Sequence, residues 1–364
     1  MSARILTRRE LNRALLARQL LLRRSRLSLP RAVEQMGGIQ AQYAPSAYIA
    51  LWTRLEQFAL AQLTRALRRR TVVQGTLLRG TIHIVSRRDY WFWAEAIRAP
   101  DRAWLARVHP KVAARDLRHT EATLRETLRE RPRTREELIE LIGRGAFFAT
   151  DVNLVRVPPS GTWERRRANL YGLAEDWVGP LNATPEQGVA LLIRRYLAAF
   201  GPSRPVDIRQ WARLAPGAVE ATAERMPLRT FRDEQGRTLV DLRRAPLPGA
   251  DVRAPARLLP TWDATLLVHA RRSAILPEEF RPLVFNSKNP ASLSTFLVDG
   301  AVAGCWRIER ARDRATLELT AFRRIDQASR AVLEAEGIRL AGFAEPDAVS
   351  YRSRWVPTRR AGRG

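Results

Sequence analysis

Leucines repeat at helical spacing near the start of the chain, and a helix is predicted there. The repeat follows Thr7 and Glu10, which have the pattern of a capping box, where each side chain satisfies a free main-chain N–H of the first turn. A second short helix is predicted from Ser28 to Gly37–Gly38, and a third over residues 60–70. The first part of the chain is therefore expected to be mainly helical.

The stretch Met36–Pro45, MGGIQAQYAP, instead alternates apolar and polar residues. Side chains two residues apart project from the same side of an extended strand, whereas they do not share a face of a helix. The glycine pair Gly37–Gly38 also disfavours helix just before the alternation. The pattern predicts an extended backbone with Gln40 and Gln42 side by side and Ala41 turned away.

A β-hairpin is predicted over residues 71–86, which are rich in β-branched residues and interrupted by Arg79–Gly80. On its second strand, Arg79, Thr81 and His83 are expected to share one face. Several helices followed by a two-stranded hairpin are typical of the winged helix, a variant of the helix-turn-helix.

The same order of elements recurs twice further along the chain. A capping box opens a predicted helix over residues 134–142, and residues 163–179 are expected to form a helix and then a short wing. A third copy begins with a capping box at Thr184 and ends in two short strands around Gln235–Gly236. The similarity lies in the order of the elements and not in residue identity.

After a proline-rich linker the pattern changes to strands. Strands are predicted over residues 264–276, 294–309 and 314–325, with a hairpin turn at Asp299–Gly300 and a helix over residues 327–343. The whole pattern indicates an α+β fold in which helical repeats precede a β-rich module.

The charge of the chain points to a polyanionic partner. Its 63 basic residues against 37 acidic ones give a net charge of +26, and lysine occurs only at positions 111 and 288. An excess spread over the whole chain favours nucleic acid over a membrane surface or a charge that serves only solubility. The candidates for phosphate contacts are the arginine runs: Arg68, Arg69, Arg70, Arg271 and Arg272.

Several classes of chemistry are not indicated by the sequence. The one cysteine, Cys305, allows no disulfide within the chain, which fits a reducing compartment. The four histidines are scattered, and neither a phosphate-cradling loop nor a dinucleotide fingerprint is present, so no metal and no cofactor is expected. We find no signal peptide and no uncharged run of transmembrane length, and a cytoplasmic protein that does not bind membranes is expected.

Longer stretches resemble one known family. GGIQAQYAPSAYIALWTRL, LLRGTIHIVSRRDYW, YLAAFGPSRPVDIRQWARL, LLPTWDATLLVHARRSAIL and FLVDGAVAGCWRI are similar to segments of the AlkZ/YcaQ family of winged-helix DNA glycosylases, over roughly residues 5–355. The resemblance implies three tandem winged helices, a C-terminal β-barrel and a C-shaped channel for DNA. It also implies removal of bulky N7- or N3-alkylated purines, and in some members the unhooking of interstrand crosslinks made by natural-product toxins.

The family signature is Gln, an apolar residue, then Gln or Asp, and here it is Gln40-Ala41-Gln42, the form that resembles the self-resistance branch. The resemblance implies a nucleoid-associated monomer that acts on double-stranded DNA carrying alkylated purines or crosslinks. The domains expected are winged helices over residues 1–108, 109–183 and 184–248, a β-barrel over 249–356 and a disordered tail over 357–364.

Glutamine does not titrate near neutral pH, so the motif is unsuited to general-base catalysis. Two amides can instead hold a water near the sugar C1′ and turn the negative ends of their dipoles toward a developing cation. A cationic alkylated purine is already a good leaving group, and no lysine is placed to form a Schiff base. The alternative is that Gln40 and Gln42 merely satisfy main-chain groups at a helix–loop junction.

Other assignments stay open at the level of sequence. His83 either faces the DNA channel with Arg79 or is a structural histidine. Asp263, within an apolar stretch, either stabilises a developing cation or caps a turn. A non-catalytic winged-helix DNA-binding protein or transcription regulator is the main alternative function, and a basic architectural module is a third.

Overall fold

The computed structural model describes residues 3–114, 116–267, 273–286 and 289–357. Its helices are α1 (Arg8–Arg18), α2 (Leu29–Gln35), α3 (Ala44–Arg54), α4 (Leu60–Arg68), α5 (Tyr90–Val108), α6 (Pro110–Ala113), α7 (Arg118–Glu130), α8 (Arg135–Ile142), α9 (Arg144–Ala149), α10 (Ala174–Val178), α11 (Pro185–Phe200), α12 (Pro205–Ala212), α13 (Ala218–Glu224), α14 (Ala264–Leu267), α15 (Arg281–Val284) and α16 (Gln327–Ala344). Its strands are β1 (Ile5–Leu6), β2 (Ile39–Gln40), β3 (Val72–Thr76), β4 (Ile82–Ser86), β5 (Arg133–Thr134), β6 (Leu154–Arg156), β7 (Leu170–Leu173), β8 (Leu228–Asp233), β9 (Thr238–Leu242), β10 (Arg257–Leu259), β11 (Phe285–Asn286), β12 (Asn289–Ser292), β13 (Thr295–Val298), β14 (Ala301–Ala311), β15 (Arg314–Ala321) and β16 (Ser350–Trp355). Two short 3₁₀ helices lie at Leu78–Gly80 and Glu278–Phe280. The predicted α+β class is confirmed.

Two compact units divide the described residues. Those in 3–5, 27–48 and 61–245 form unit 1, and those in 6–26, 49–60 and 246–357 form unit 2. Each unit is thus assembled from separate stretches of the chain. The division into four successive domains stays a prediction.

Several local predictions are confirmed by hydrogen bonds. Capping boxes at Thr7, Thr134 and Thr184 begin α1, α8 and α11, with both reciprocal bonds present in each. At least three helices precede a hairpin in each predicted repeat: α1–α4 before β3–β4, α6–α9 before β6–β7, and α11–α13 before β8–β9. The identification of these repeats as winged helices, and the C-shaped channel, stay predictions.

Strands from two of the predicted repeats share one sheet in unit 1. The strand order is β2-β4-β3-β6-β7-β5, and every adjacent pair is antiparallel. Strand β2, which holds only Ile39–Gln40, lies at one edge against β4. The β3–β4 hairpin therefore supports the glutamine motif on one side and the second repeat on the other.

Two sequence predictions need correction. The region 163–179 was expected to begin with a helix, but it runs first through β7 and only then into α10. The reason lies at Ser160, whose hydroxyl bonds to both the N–H and the carbonyl of Leu170 and so holds the intervening residues in a loop. In addition, α3 follows the glutamine motif directly, where no helix was predicted.

Unit 2 contains a five-stranded sheet of order β10-β13-β14-β15-β16. The first four strands are antiparallel neighbours, whereas β16 runs parallel to β15, and α16 makes the crossover that a parallel pair requires. Among the described strands β10 and β16 are the two edges, so this sheet is open and not the expected closed barrel. The predicted hairpin at Asp299–Gly300 is confirmed.

The strand predicted over residues 264–276 is also wrong in its described parts, since residues 273–276 form a turn and a bend. Residues Ala264–Leu267 form the short helix α14, because Asp263 begins a helical turn there. The Asp263 carboxylate accepts from the Thr265 N–H at 3.1 Å, and its main-chain carbonyl accepts from the Leu266 N–H at 3.0 Å. Residues 268–272 lie outside the described residues.

Candidate active site at the edge of the unit 1 sheet

A glycine turn leads the chain from α2 into the motif. Gly37 and Gly38 have φ angles of 72° and 74°, in the left-handed region that residues with a Cβ rarely adopt. A Cβ on Gly38 would lie only 2.9 Å from the Trp93 ring. The glycine pair therefore ends α2 and lets the next residues pass close to α5.

Gln40 lies in extended backbone, as predicted, but the strand ends there and the predicted extended run does not continue through Gln42, which lies in a bend. It pairs with His83 across β2 and β4, so the two side chains are neighbours on one face of the sheet, at a Cβ separation of about 4.5–5.5 Å. Gln40 is 8% exposed. Within the part of the chain that the structure describes, its side-chain amide has no hydrogen bond, so it is nearly enclosed yet uncommitted.

Gln42 lies in the bend after β2 and is exposed, whereas Ala41 is buried. Its Oε1 accepts a hydrogen bond from the Ile82 main-chain N–H at 2.7 Å, while the Ala41 N–H donates to the Ile82 carbonyl at 2.8 Å. The Gln42 side chain thus takes the place that a β2 main-chain carbonyl would fill in a regular ladder. A main-chain N–H can only donate, so the amide orientation is fixed, with Oε1 toward Ile82.

His83 is buried and neutral. Burial lowers its pKa to about 3, helped by the nearby positive charge of Arg79 and opposed by the bond to the Thr81 carbonyl. Its Nδ1 lies 3.0 Å from that carbonyl, which requires a proton on Nδ1 and leaves Nε2 as an acceptor. Its ring centroid is 6.1 Å from that of Trp93. This placement supports the structural reading of His83, beside Gln40.

Arg79 is not on the face of a strand, because β4 begins only at Ile82. Its φ of 59° places it in the turn of the hairpin. The guanidinium donates to the Trp211 carbonyl, and Arg213 donates back to the Arg79 carbonyl at 3.1 Å. Burial, together with the charge of Arg213, lowers the Arg79 pKa. Arg79 therefore fixes the hairpin turn against α12.

The arginines predicted to contact phosphates differ in their exposure and in their partners. Arg68, Arg69 and Arg70 are all exposed at and beyond the end of α4. Arg70 donates to the Asp176 carbonyl at 3.1 Å and stacks on Trp177, so Arg68 and Arg69 are the more available pair. Arg271 and Arg272 lie outside the described residues.

Asp263 is in unit 2 and is 3% exposed. Both of its carboxylate oxygens accept from Arg54, at 2.9 and 3.0 Å. A carboxylate committed in this way is a turn-capping and ion-pairing group, which favours the structural alternative for it. Its assignment to DNA binding has no support from this geometry.

Some features of the site have no signal in the sequence. The Ile82 N–H is a main-chain group, and the Gly38–Trp93 approach joins distant positions.

Unit 1 also contains a cavity of about 680 Å³ beside the β3–β4 turn, lined among others by Thr76, Trp104 and Phe147. The described residues hold no cluster of metal-ligating side chains. None of the described helices has the length and apolar character needed to cross a bilayer.

The chain belongs to the AlkZ-like DNA glycosylase family, because the family model matches residues 33–343. The resemblance noted in the sequence is therefore confirmed, and the class of protein is that of a DNA-binding glycosylase. Among solved structures, the chain is similar to the Streptomyces sahachiroi DNA glycosylase AlkZ, with 19% identity and a TM-score of 0.79 over 97% of this chain and 100% of that one. At this identity the likeness shows a shared fold. No functionally curated protein matches the sequence.

Proposed function

We propose that the protein is a monofunctional glycosylase that hydrolyses the N-glycosidic bond of bulky N7- or N3-alkylated purines in duplex DNA, including purines held in interstrand crosslinks. The observation that carries the proposal is the arrangement of the two amides. Gln42 is fixed by the Ile82 N–H, and Gln40 is nearly enclosed with no protein partner among the described residues. Family membership supplies the reaction class.

The two glutamines take different parts in this mechanism. The uncommitted Gln40 amide accepts a hydrogen bond from the attacking water and directs the water oxygen toward C1′. Gln42 presents a carbonyl dipole whose direction is set by Ile82, with a second lone pair still available. A fixed dipole of this kind stabilises positive charge at C1′ without reorganising during the reaction.

The bond changes need no protein acid. The C1′–N bond breaks with its electron pair passing to the purine, which neutralises the cationic base. The water oxygen forms the new bond to C1′, and its proton passes to solvent. Because Gln40, Gln42 and the neutral His83 carry no charge, unmodified purines, which are poor leaving groups, are expected to react very slowly.

The test is excision from duplexes that carry one N7-alkylguanine monoadduct or one crosslink. Abasic sites are revealed by heat or alkali in wild type, Gln40→Ala, Gln42→Ala and the control Gln327→Ala, which alters an exposed glutamine on α16. We expect excision by wild type and control, and loss in the motif variants with duplex binding retained. Equal excision by all four proteins would show that the glutamines are not catalytic. Binding without any excision would favour a non-catalytic DNA-binding protein.

A further inference from the structure

The loop between β6 and β7 carries a run of three arginines. Arg165, Arg166 and Arg167 are all exposed, and none forms an ion pair with a described residue. Many arginines elsewhere in the chain are paired: Arg195, for example, contacts Asp89 at 2.6 Å. The loop also holds the exposed Glu164, so it carries a net positive charge that no ion pair among the described residues neutralises.

The ends of this loop are held rigidly. Ser160 bonds to the carbonyl and the N–H of Leu170 at 3.2 and 2.7 Å, which closes the base of the loop. Arg156 donates to the Ala168 carbonyl at 2.6 Å, just beyond the arginine run. Since both flanks are fixed, the three arginines project from a defined position.

Trp163 fastens the loop to α3. Its main-chain N–H donates to the Tyr48 hydroxyl at 3.1 Å, and the two rings meet edge to face with centroids 5.4 Å apart. The Arg166 guanidinium lies 4.5 Å from the Trp163 ring centroid. Stacking orients this guanidinium while it stays exposed, so less side-chain entropy is lost when it binds an anion.

The same tyrosine brings a second basic segment close. Its hydroxyl is 2.8 Å from the Thr64 hydroxyl on α4, and Arg68 lies one helical turn further along α4. Burial raises the pKa of Tyr48 to about 12, and the positive charge of Arg68 acts in the opposite direction. Arg68 is therefore within electrostatic range of the point where the loop is fastened.

We infer that Arg165–Arg167, together with Arg68, form a surface that binds phosphates of duplex DNA beside the lesion. The position of the lesion rests on the proposed function of Gln40 and Gln42. Gln42 lies in the bend just before α3, and Tyr48 is about 6 Å along that helix from its start at Ala44. Since DNA rises about 3.4 Å per nucleotide along each strand, the phosphates engaged are expected within about three nucleotides of the excised base.

The test measures binding of undamaged duplex DNA by fluorescence anisotropy over a range of KCl concentrations. The variant replaces Arg165, Arg166 and Arg167 by alanine. The control removes the same charge by replacing Arg312, Arg323 and Arg324, which are exposed in unit 2. We expect the loop variant to bind at least about tenfold more weakly at low salt, with a log–log salt slope smaller by up to about 2.7, and the control to change much less.

A second arm locates the contact. The duplexes carry neutral methylphosphonates about three nucleotides from an N7-alkylguanine. Wild type should bind them more weakly than the unmodified duplex, whereas the loop variant should bind both duplexes with nearly the same affinity. The rate constant for excision at saturating protein should be unchanged in the loop variant. Equal salt slopes in the loop variant and the control would overturn the inference. Failure of the wild type to excise, with the slope difference intact, would instead count against the proposed function.

Discussion

Arg54 and Asp263 form a buried ion pair in unit 2, although 209 positions separate them in the sequence. Both side chains are almost fully enclosed, at 0% and 1% exposure. Arg54 also donates to the Gln19 and Ala50 carbonyls, and Thr265 donates to Asp263 at 2.8 Å. The pair is thus hydrogen-bonded on both sides and joins the segment 49–60 to the C-terminal part of the same unit.

Removing one member should be costly, because it leaves the other charge buried and unpaired. We expect Asp263→Ala to lower the free energy of unfolding by about 3–5 kcal/mol, measured by urea denaturation. Asp313→Ala, at an exposed position, is the control and should change it little. The folded fraction of Asp263→Ala should bind DNA with normal affinity, and a selective loss of affinity would revive the assignment of Asp263 to DNA binding.

The Gln42–Ile82 bond predicts which substitutions at position 42 retain excision activity. Gln42→Glu keeps an oxygen acceptor for the Ile82 N–H and adds a negative charge near C1′, so excision should be retained. Gln42→Leu has a similar shape but no acceptor, and single-turnover excision should fall about a hundredfold because the loop is no longer held in place. Since the site is exposed, the Leu variant should lose only about 1 kcal/mol of stability. Comparable rates for Leu and Glu variants would contradict the role given to this bond.

His83 should make stability depend on pH. Its pKa in the folded protein, about 3, is below the unfolded value of about 6.5, so the unfolded chain binds the proton first as pH falls. The contribution of neutral His83 is therefore complete above pH 6.5 and declines toward pH 3, by up to about 1.4 kcal/mol per pH unit. In urea denaturation between pH 6.5 and 4.5, His83→Asn should lack this slope, whereas the exposed-site control His109→Asn should keep it. An unchanged slope in His83→Asn would mean that His83 titrates normally.

Gly38 and Gly80 allow the cost of a left-handed backbone to be measured apart from the cost of a steric clash with Trp93. Their φ angles are nearly the same, 74° and 70°, but a Cβ meets Trp93 at 2.9 Å in Gly38 and open space in Gly80. Gly80→Ala should cost about 1–2 kcal/mol from the backbone alone. Gly38→Ala should cost more and also reduce excision, because β2 must shift away from α5. Thermal unfolding and excision assays of both variants check this, and identical effects would rule out a role for the Trp93 contact.

Local patterns predicted much of the fold. The capping boxes at Thr7, Thr134 and Thr184 and the hairpin around Arg79–Gly80 were all found from spacing and residue type, because each is stabilised by neighbours in the sequence. The helix α3 was missed for a physical reason. All of its residues are buried, so the segment 44–54 shows no amphipathic period that would distinguish a helix from other structure.

The candidate site was only partly predictable. The extended backbone at Gln40 followed from the glycine pair and the alternation, but the partner of Gln42 is a main-chain N–H 40 positions away, for which side chains give no signal. The pairing of Arg54 with Asp263 is likewise a consequence of tertiary structure. The expected barrel is not found among the described strands, because the edge strands β10 and β16 do not pair. The parallel placement of β16 beside β15, which α16 makes possible, is likewise not distinguished by strand patterns alone.

The bond from Ile82 to Gln42 also bears on how such a site can evolve. The Ile82 N–H needs from position 42 only a side-chain oxygen that accepts its hydrogen bond, and a glutamate side chain has the same length and also provides one. A single nucleotide change in a glutamine codon can therefore convert the site from neutral to acidic without an intermediate that misfolds. The same scaffold would then present a carboxylate in place of an amide, with its main-chain anchor unchanged.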